Sequence, residues 1–155
     1  MAVRFAKEKD LPRVNELRKQ VNDLHAAGKP EFFRPGFSKE LADLVFAIFD
    51  DPDKKIVVAE REGIVCGFAV LHRVIRPENL YMFERVCLDV DEFCVDAPYR
   101  RKGVGSELIA FIRAYAKENG FRRIELNMWE FNRDALAFYE SAGFSTYRRY
   151  LELEP

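Results

Sequence analysis

The residues best equipped for chemistry stand in one run: Arg100, Arg101, Lys102, Gly103, Val104, Gly105 and Ser106. Three cations precede a pair of glycines that open an apolar-periodic segment. A helix start leaves backbone N–H groups unpaired and carries about half a positive charge, so it attracts anions. Glycine removes the side chain and lets those N–H groups approach a phosphate closely. The run therefore suits a diphosphate. Two other glycine-loop readings fail on detail. A Walker loop needs lysine after its second glycine, whereas Lys102 precedes the first. A dinucleotide fingerprint needs a third small residue where this chain carries Leu108.

Acids lie shortly before this cradle. Asp89, Asp91 and Glu92 interrupt an apolar run, an unusual place for charge. A carboxylate can accept a proton or hold a cation. Adjacent strand residues face opposite sides, so without a bulge only one of Asp91 and Glu92 can point into a given site. His25 and His72 read as surface or hydrogen-bonded residues rather than catalysts. Cys66, Cys87 and Cys94 form no CxxC pair and sit in apolar runs, which makes them buried free thiols. No His, Cys, Asp and Glu cluster has metal-ligand spacing, so no metal is expected. Nucleophile-elbow and Cys–His patterns are also missing, which favours direct attack by an acceptor over a covalent enzyme intermediate.

The elements that must position these groups follow from periodicity. Residues 2–6 read as a strand. Asp10 offers an N-cap to a helix with Leu11, Val14, Leu17, Val21 and Leu24 on one face and Pro12 in its first turn. Gly28 and Pro30 end it, and residues 31–37 are aromatic and irregular. Ser38 caps a second helix striped by Leu41, Leu44, Val45 and Ile48. Strands over 55–60 and 64–74 flank a hairpin turn at Arg61, Glu62 and Gly63. A strand over 85–95 leads to the cradle and to a helix over 103–119, with Leu108, Phe111, Ile112 and Tyr115 on one face and Gly120 as its stop. A strand over 123–128 follows. Asn132 caps a last helix bearing Ala135, Phe138, Tyr139 and Ala142, Gly143 closes it, and a final strand spans 144–152. The order β-α-α-β-β-β-α-β-α-β implies an α/β fold: one mixed sheet with helices on both faces.

Bulk properties bound the rest. At 155 residues, 48% hydrophobic and 33% charged, the chain fits a single domain over 1–155 with a proper core. A net charge of −1 provides no basic field for nucleic acid or an anionic membrane, so neither is an expected partner. No run approaches the roughly 20 apolar residues of a membrane span, and the start lacks a signal segment. A cytoplasmic location is the expectation.

The pattern Arg100-x-x-Gly103-x-Gly105 resembles the [Q/R]-x-x-G-x-[G/A] signature of the GCN5-related N-acetyltransferase (GNAT) superfamily. The run from Val95 to Ser106 is similar to that family's strand-loop-helix, and Asn132-x-x-Ala135-x-x-Phe138-Tyr139-x-x-x-Gly143-Phe144 to its C-terminal motif. Two motifs in order cover much of the chain, and the element order agrees with the family's mixed, mostly antiparallel sheet. The resemblance implies acetyl-CoA as co-substrate. Backbone groups at Phe93, Cys94 and Val95 would pair with the pantetheine arm. Amides from Arg101 to Ser106 would hold the pyrophosphate, and Asn132 and Tyr139 would flank the thioester. It also implies a catalytic carboxylate near Asp91 and Glu92 in some members, and homodimers are common, although nothing in the sequence locates an interface.

Acetyl transfer to an amine then sets three demands. An alkylamine of pKa about 10.4 must lose a proton, to a base or a water chain. The thioester carbonyl must be polarised. A thiolate of pKa about 8.5 must be protonated, which a nearby phenol of pKa about 10 can do. Tyr139 matches the family's general acid by position, and the base stays open among Asp91, Glu92 and water. Residues 32–36 and 129–131 are aromatic enough to line an acceptor pocket or to form a packed cluster beneath a loop. The acids suit a cationic small-molecule or peptide amine. The alternative is a catalytically silent acyl-CoA-binding module, which would not need Tyr139.

Overall fold

Apolar side chains leave the strands on alternate sides and the helices on one stripe, and a computed structural model of residues 2–155 shows the layers that result. The strands are β1 (Ala2–Phe5), β2 (Lys54–Arg61), β3 (Ile64–Arg76), β4 (Arg85–Val95) and β5 (Ile124–Leu126). They lie side by side in chain order, antiparallel except for the parallel pair β4 and β5. Helices α1 (Leu11–Gly28) and α2 (Lys39–Asp50) cover one face. The other face takes α3 (Val104–Glu118) and, through Phe138, α4 (Arg133–Ser141).

Strand β3 is the keel. Phe68 and Val70 pack with Leu11, Val14 and Leu17 of α1 and with Val45 and Ile48 of α2. Ala69 and Leu71 pack with Leu108, Ile109 and Ile112 of α3. With both faces covered, Val65 to Leu71 is buried without interruption, which is why this strand reads as an apolar run rather than an alternation. The β2–β3 connection has positive φ at both central residues, 51° at Glu62 and 78° at Gly63. That is the tight hairpin turn whose twist matches the strands.

The caps divide into two kinds. Ser38 Oγ accepts from Leu41 N at 3.3 Å, and Asn132 Oδ1 from Ala135 N at 3.2 Å, as the sequence suggests. Asp10 does not cap α1. Its carboxylate accepts from Lys7 N at 2.7 Å and from Arg4 at 2.7 Å, because the charged partner on β1 outcompetes the helix amides.

The C-terminal expectation needs correction. Residues 144–152 join no ladder among the described residues. Strand residues without a hydrogen-bonding neighbour do not make a strand. The strand expected over 123–128 shrinks to Ile124–Leu126 because β4, its sheet neighbour, pairs only as far as Val90 with Leu126. Tyr147, Tyr150, Leu151 and Leu153 consequently stay exposed, as do Leu80, Tyr81 and Phe83 in the β3–β4 connection. Among the described residues no helix is long and apolar enough to cross a membrane.

Candidate active site

The parallel strands β4 and β5 part company at one edge of the sheet. They are paired from Leu88 with Ile124 to Val90 with Leu126. Beyond that point β4 continues, with Glu92, Phe93, Cys94 and Val95 opposite Val70, Ala69, Phe68 and Gly67 of β3. On its other side this stretch has no strand neighbour among the described residues. A strand left open beyond its short edge neighbour offers backbone donors and acceptors to an extended ligand. Phe93, Cys94 and Val95 lie on this open edge, which leads to the cradle.

The chain turns out of β4 through a short helical turn at Ala97–Tyr99. Arg101 takes φ 62° and Gly103 φ 83°, and α3 starts at Val104. At Gly103 the space is open, the nearest atom to a notional Cβ being 3.8 Å away, so the backbone conformation is what demands glycine. Gly105 differs. A Cβ there would lie 2.9 Å from the Phe138 ring, so this glycine lets α4 pack against the start of α3. Arg101, Lys102 and Ser106 are exposed, and Lys102 Nζ lies 5.7 Å from the centre of the Tyr99 ring. Arg100 instead folds back, its Nε donating to Val95 O at 3.0 Å and tying the loop to the end of β4.

Helix α1 fixes the root of this loop through residues that carry no motif. The buried Asp96 carboxylate accepts from Arg13 and, at 2.8 Å, from Gln20 Nε2. Arg13 Nε also donates to Val65 O at 3.1 Å. Arg13 and Gln20 stand seven residues apart, two helical turns along one face. Polar residues repeating on the buried side of an amphipathic helix were the available signal.

A bulge resolves the two acids. Glu92 faces Val70 and Val90 faces Leu71, leaving Asp91 as the extra residue. A bulge of this kind breaks the alternation, so neighbours can share a face. Asp91 meets His72 Nδ1 at 3.1 Å and Lys54 Nζ at 3.8 Å. Glu92 receives Arg18 Nε at 2.9 Å and 3.2 Å, one contact to each oxygen. Arg18 is 5% exposed and also donates to Asn15 Oδ1 at 3.1 Å and Leu41 O at 2.9 Å. Glu92 is thus committed to a buried cation. Asp91 lines a cavity at the mouth of the parted strands with Asp89, Val90, Leu126 and Asn127. His72, read from sequence as a surface or hydrogen-bonded residue, stands beside Asp91. A second cavity is lined by Pro52, Asp53, Lys55, Arg73, Tyr115 and Phe121, and its one acid, Asp53, is paired with Arg73 at 3.5 Å.

Asp89, which lines the cavity, and Glu125 share Arg76, whose Nη2 lies 2.8 Å from Asp89 Oδ2 and 3.0 Å from Glu125 Oε2. Burial pushes Asp89 upward against the pull of Arg76. Burial also pushes Glu125 upward, but hydrogen bonds from Tyr147, Cys87 and Arg76 outweigh it and hold the group below its ordinary range. Cys87, Asp89 and Glu125 bring potential ligand atoms within 4.8 Å of one another, a grouping the sequence spacing did not reveal. The Arg76 guanidinium already supplies the positive charge these acids need.

Across the parted strands stands Tyr139 of α4. It is half-buried, its ring meeting Phe93 edge-on at 5.9 Å and Phe144 at 5.7 Å. Burial pushes its phenol up to about 12, with the nearby Cys94 thiol adding to the effect. Cys94 is itself pushed up to about 11 by burial. Asn132, expected beside the thioester, spends its carbonyl on capping α4.

The aromatic segments meet each other. Phe33 packs on Trp129 at 5.1 Å and on His25 at 4.9 Å, and Trp129 stacks on Phe131 at 6.4 Å. They form a packed cluster joining the α1–α2 connection to the β5–α4 connection, from which Phe32 remains more than half exposed. Burial lowers His25 below the ordinary imidazole value.

Comparison with known proteins bears on this geometry. Residues 18–144 match the model of the acetyltransferase (GNAT) family. The L-ornithine N5-acetyltransferase NATA1 of Arabidopsis thaliana is 25% identical over 128 residues, 81% of this chain and 53% of that protein. The chain thus spans about half the length of that relative. A crystal structure of a tetramutant of the BH1408 protein from Bacillus halodurans superposes with a TM-score of 0.94 at 26% identity, covering all of both chains. The aminoglycoside N-acetyltransferase AAC(6')-Iy, solved in complex with CoA, superposes with a TM-score of 0.77 over 99% of this chain and 93% of that one. At 18% identity that is a likeness of fold alone.

Proposed function

The chain belongs to the acetyltransferase (GNAT) family, and from that premise we propose that it transfers acetyl from acetyl-CoA to a cationic primary amine by direct attack in a ternary complex. The observation that carries the reading is the open β4 edge at Phe93, Cys94 and Val95 running into a turn that needs glycine at Gly103. An extended pantetheine arm suits such an edge. The amides from Arg101 to Ser106 suit its pyrophosphate, with Arg101 and Lys102 adding charge where they meet solvent.

The acceptor comes to the acids. Asp91 holds its ammonium at the cavity mouth and receives a proton, which His72 at 3.1 Å passes to water. At neutral pH, freeing an amine of pKa about 10.4 costs about 4 to 5 kcal/mol, so a short route for that proton matters to the rate. The amine nitrogen then bonds to the acetyl carbon, the carbon–sulfur bond breaks, and the sulfur takes a proton from Tyr139.

A phenol at about 12 is a poor acid for an ordinary thiolate of about 8.5. Burial beside Tyr139 would disfavour the leaving thiolate as well, which raises its basicity and narrows that gap. The relative and the fold neighbour are named for ornithine and aminoglycosides, both amines, and the acids here suit a small cation of that kind.

Amide hydrogen exchange tests the carrying observation. Added CoA should protect Phe93 to Val95 and Arg101 to Ser106. Tight binding with protection elsewhere, or no binding, would overturn the reading.

A further inference from the structure

We propose that helix α1 sets the affinity for acetyl-CoA without touching it. Arg13 and Gln20, acting through Asp96, and Arg18, acting through Glu92, are positioning residues that hold the open stretch of β4 straight for its ligand. The inference rests on the reading that this stretch pairs with the pantetheine arm.

The open stretch is bracketed by two acids. Phe93, Cys94 and Val95 are paired with β3 alone among the described residues, Glu92 precedes them and Asp96 follows. Alternate strand residues share a face. Cys94 packs with Leu11, Val14 and Leu17 of α1, whereas Phe93 and Val95 pack in the cluster formed with α3. Glu92 and Asp96 turn the same way as Cys94, and each meets α1 there. Arg18 Nε donates to the two Glu92 oxygens at 2.9 Å and 3.2 Å, and its guanidinium is fixed in turn by Asn15 and by Leu41 O.

Asp96 is held at each of its polar atoms. Its N–H donates to Cys66 O at 2.9 Å, and its carbonyl accepts from Tyr99 N at 2.8 Å, closing the turn toward the cradle. Oδ1 accepts from Gln20 Nε2 at 2.8 Å and Oδ2 from Arg13, which also donates to Val65 O near the start of β3. At 6% exposure, Asp96 meets little competition from water. A strand without an outer neighbour lacks half the ladder that keeps a central strand ordered. A ligand that must first order it binds more weakly, because part of its binding free energy goes into that ordering. Two ion pairs from one helix supply the missing restraint from the face instead of from the edge.

Calorimetric CoA titration, with amide exchange over Phe93 to Val95 in the free chain, tests this. Arg13→Met and Gln20→Leu should each speed exchange over that stretch and raise the CoA Kd, by about tenfold for Arg13→Met. Gln20→Leu keeps the Arg13–Asp96 ion pair, so it provides the measurement even where Arg13→Met fails to fold. Arg13→Lys keeps a cation for Asp96 and should recover most of the affinity lost in Arg13→Met. Asp10→Asn breaks an ion pair beside β1, at the other edge of the sheet, and should lower the melting temperature while leaving the CoA Kd as in wild type. Folded Arg13 and Gln20 variants that bind CoA as wild type does, or an Asp10→Asn chain that loses as much affinity, would overturn the inference and leave the functional reading in place. Wild type that binds no CoA would overturn both.

Discussion

Burial keeps the Tyr139 phenol protonated, its pKa standing at about 12, so it can donate throughout the neutral and mildly alkaline range. In the proposed acid role the protonated form is the working one, and it is lost only as pH rises through that value. Turnover should climb with pH as the amine sheds its proton and show no fall near about 10, the ordinary phenol value. A pH–rate profile falling there would mean that the donor is another group or an unburied phenol. Tyr139→Phe keeps the ring contacts with Phe93 and Phe144, so kcat should drop by about a hundredfold or more while acetyl-CoA KM holds. The two acids should separate. Asp91→Asn should raise the amine KM and lower kcat with little change in melting temperature. Glu92→Gln leaves buried Arg18 without its counter-charge and should cost about 2 kcal/mol, or about 4 to 8 °C in Tm. The sequence placed both acids near the site, but it could not choose between them. The choice depends on a bulge and on an arginine 74 residues away, and neither leaves a local signature.

Among the elements, strands and helices with strong periodicity were legible to within a few residues, because each buries a continuous apolar face. The failures share a cause. Asp10 looked like a cap but is claimed by Arg4, and residues 144–152 looked like a strand but have no ladder. In both, a partner distant in sequence, present or missing, decides the outcome. Arg4 also depresses Asp10 below its ordinary value, chiefly through their hydrogen bond. A depressed carboxylate stabilises the fold above its unfolded pKa, and that contribution is lost as pH falls through the folded value. Asp10→Asn should therefore destabilise at neutral pH and lose most of that effect in strong acid, as denaturant midpoints across pH would show. The two glycines of the cradle should fail differently. Gly103→Val strains a positive φ in open space and should weaken CoA binding more than stability. Gly105→Val drives a side chain into Phe138 and should cost stability as well. Calorimetric CoA titration beside thermal melts distinguishes the two.

For the whole molecule, the parting of β4 from β5 organises the proposed function. A pair of parallel strands that separates at the edge of the sheet leaves β4 open near the start of α3 and the Tyr139 ring, with Asp89 and Asp91 at the point of separation. The cradle motif could be read residue by residue. The opening could not, since it depends on where β5 stops. The measurement that tests the proposed chemistry most directly is thiol release from acetyl-CoA against a panel of small amines, including ornithine, polyamines, aminoglycosides and short peptides. CoA release that depends on one class of cationic amine, and collapses in Tyr139→Phe, is the expected result. Measurable acetyl-CoA binding with no amine-dependent release across the panel, or equal release by Tyr139→Phe, would contradict it.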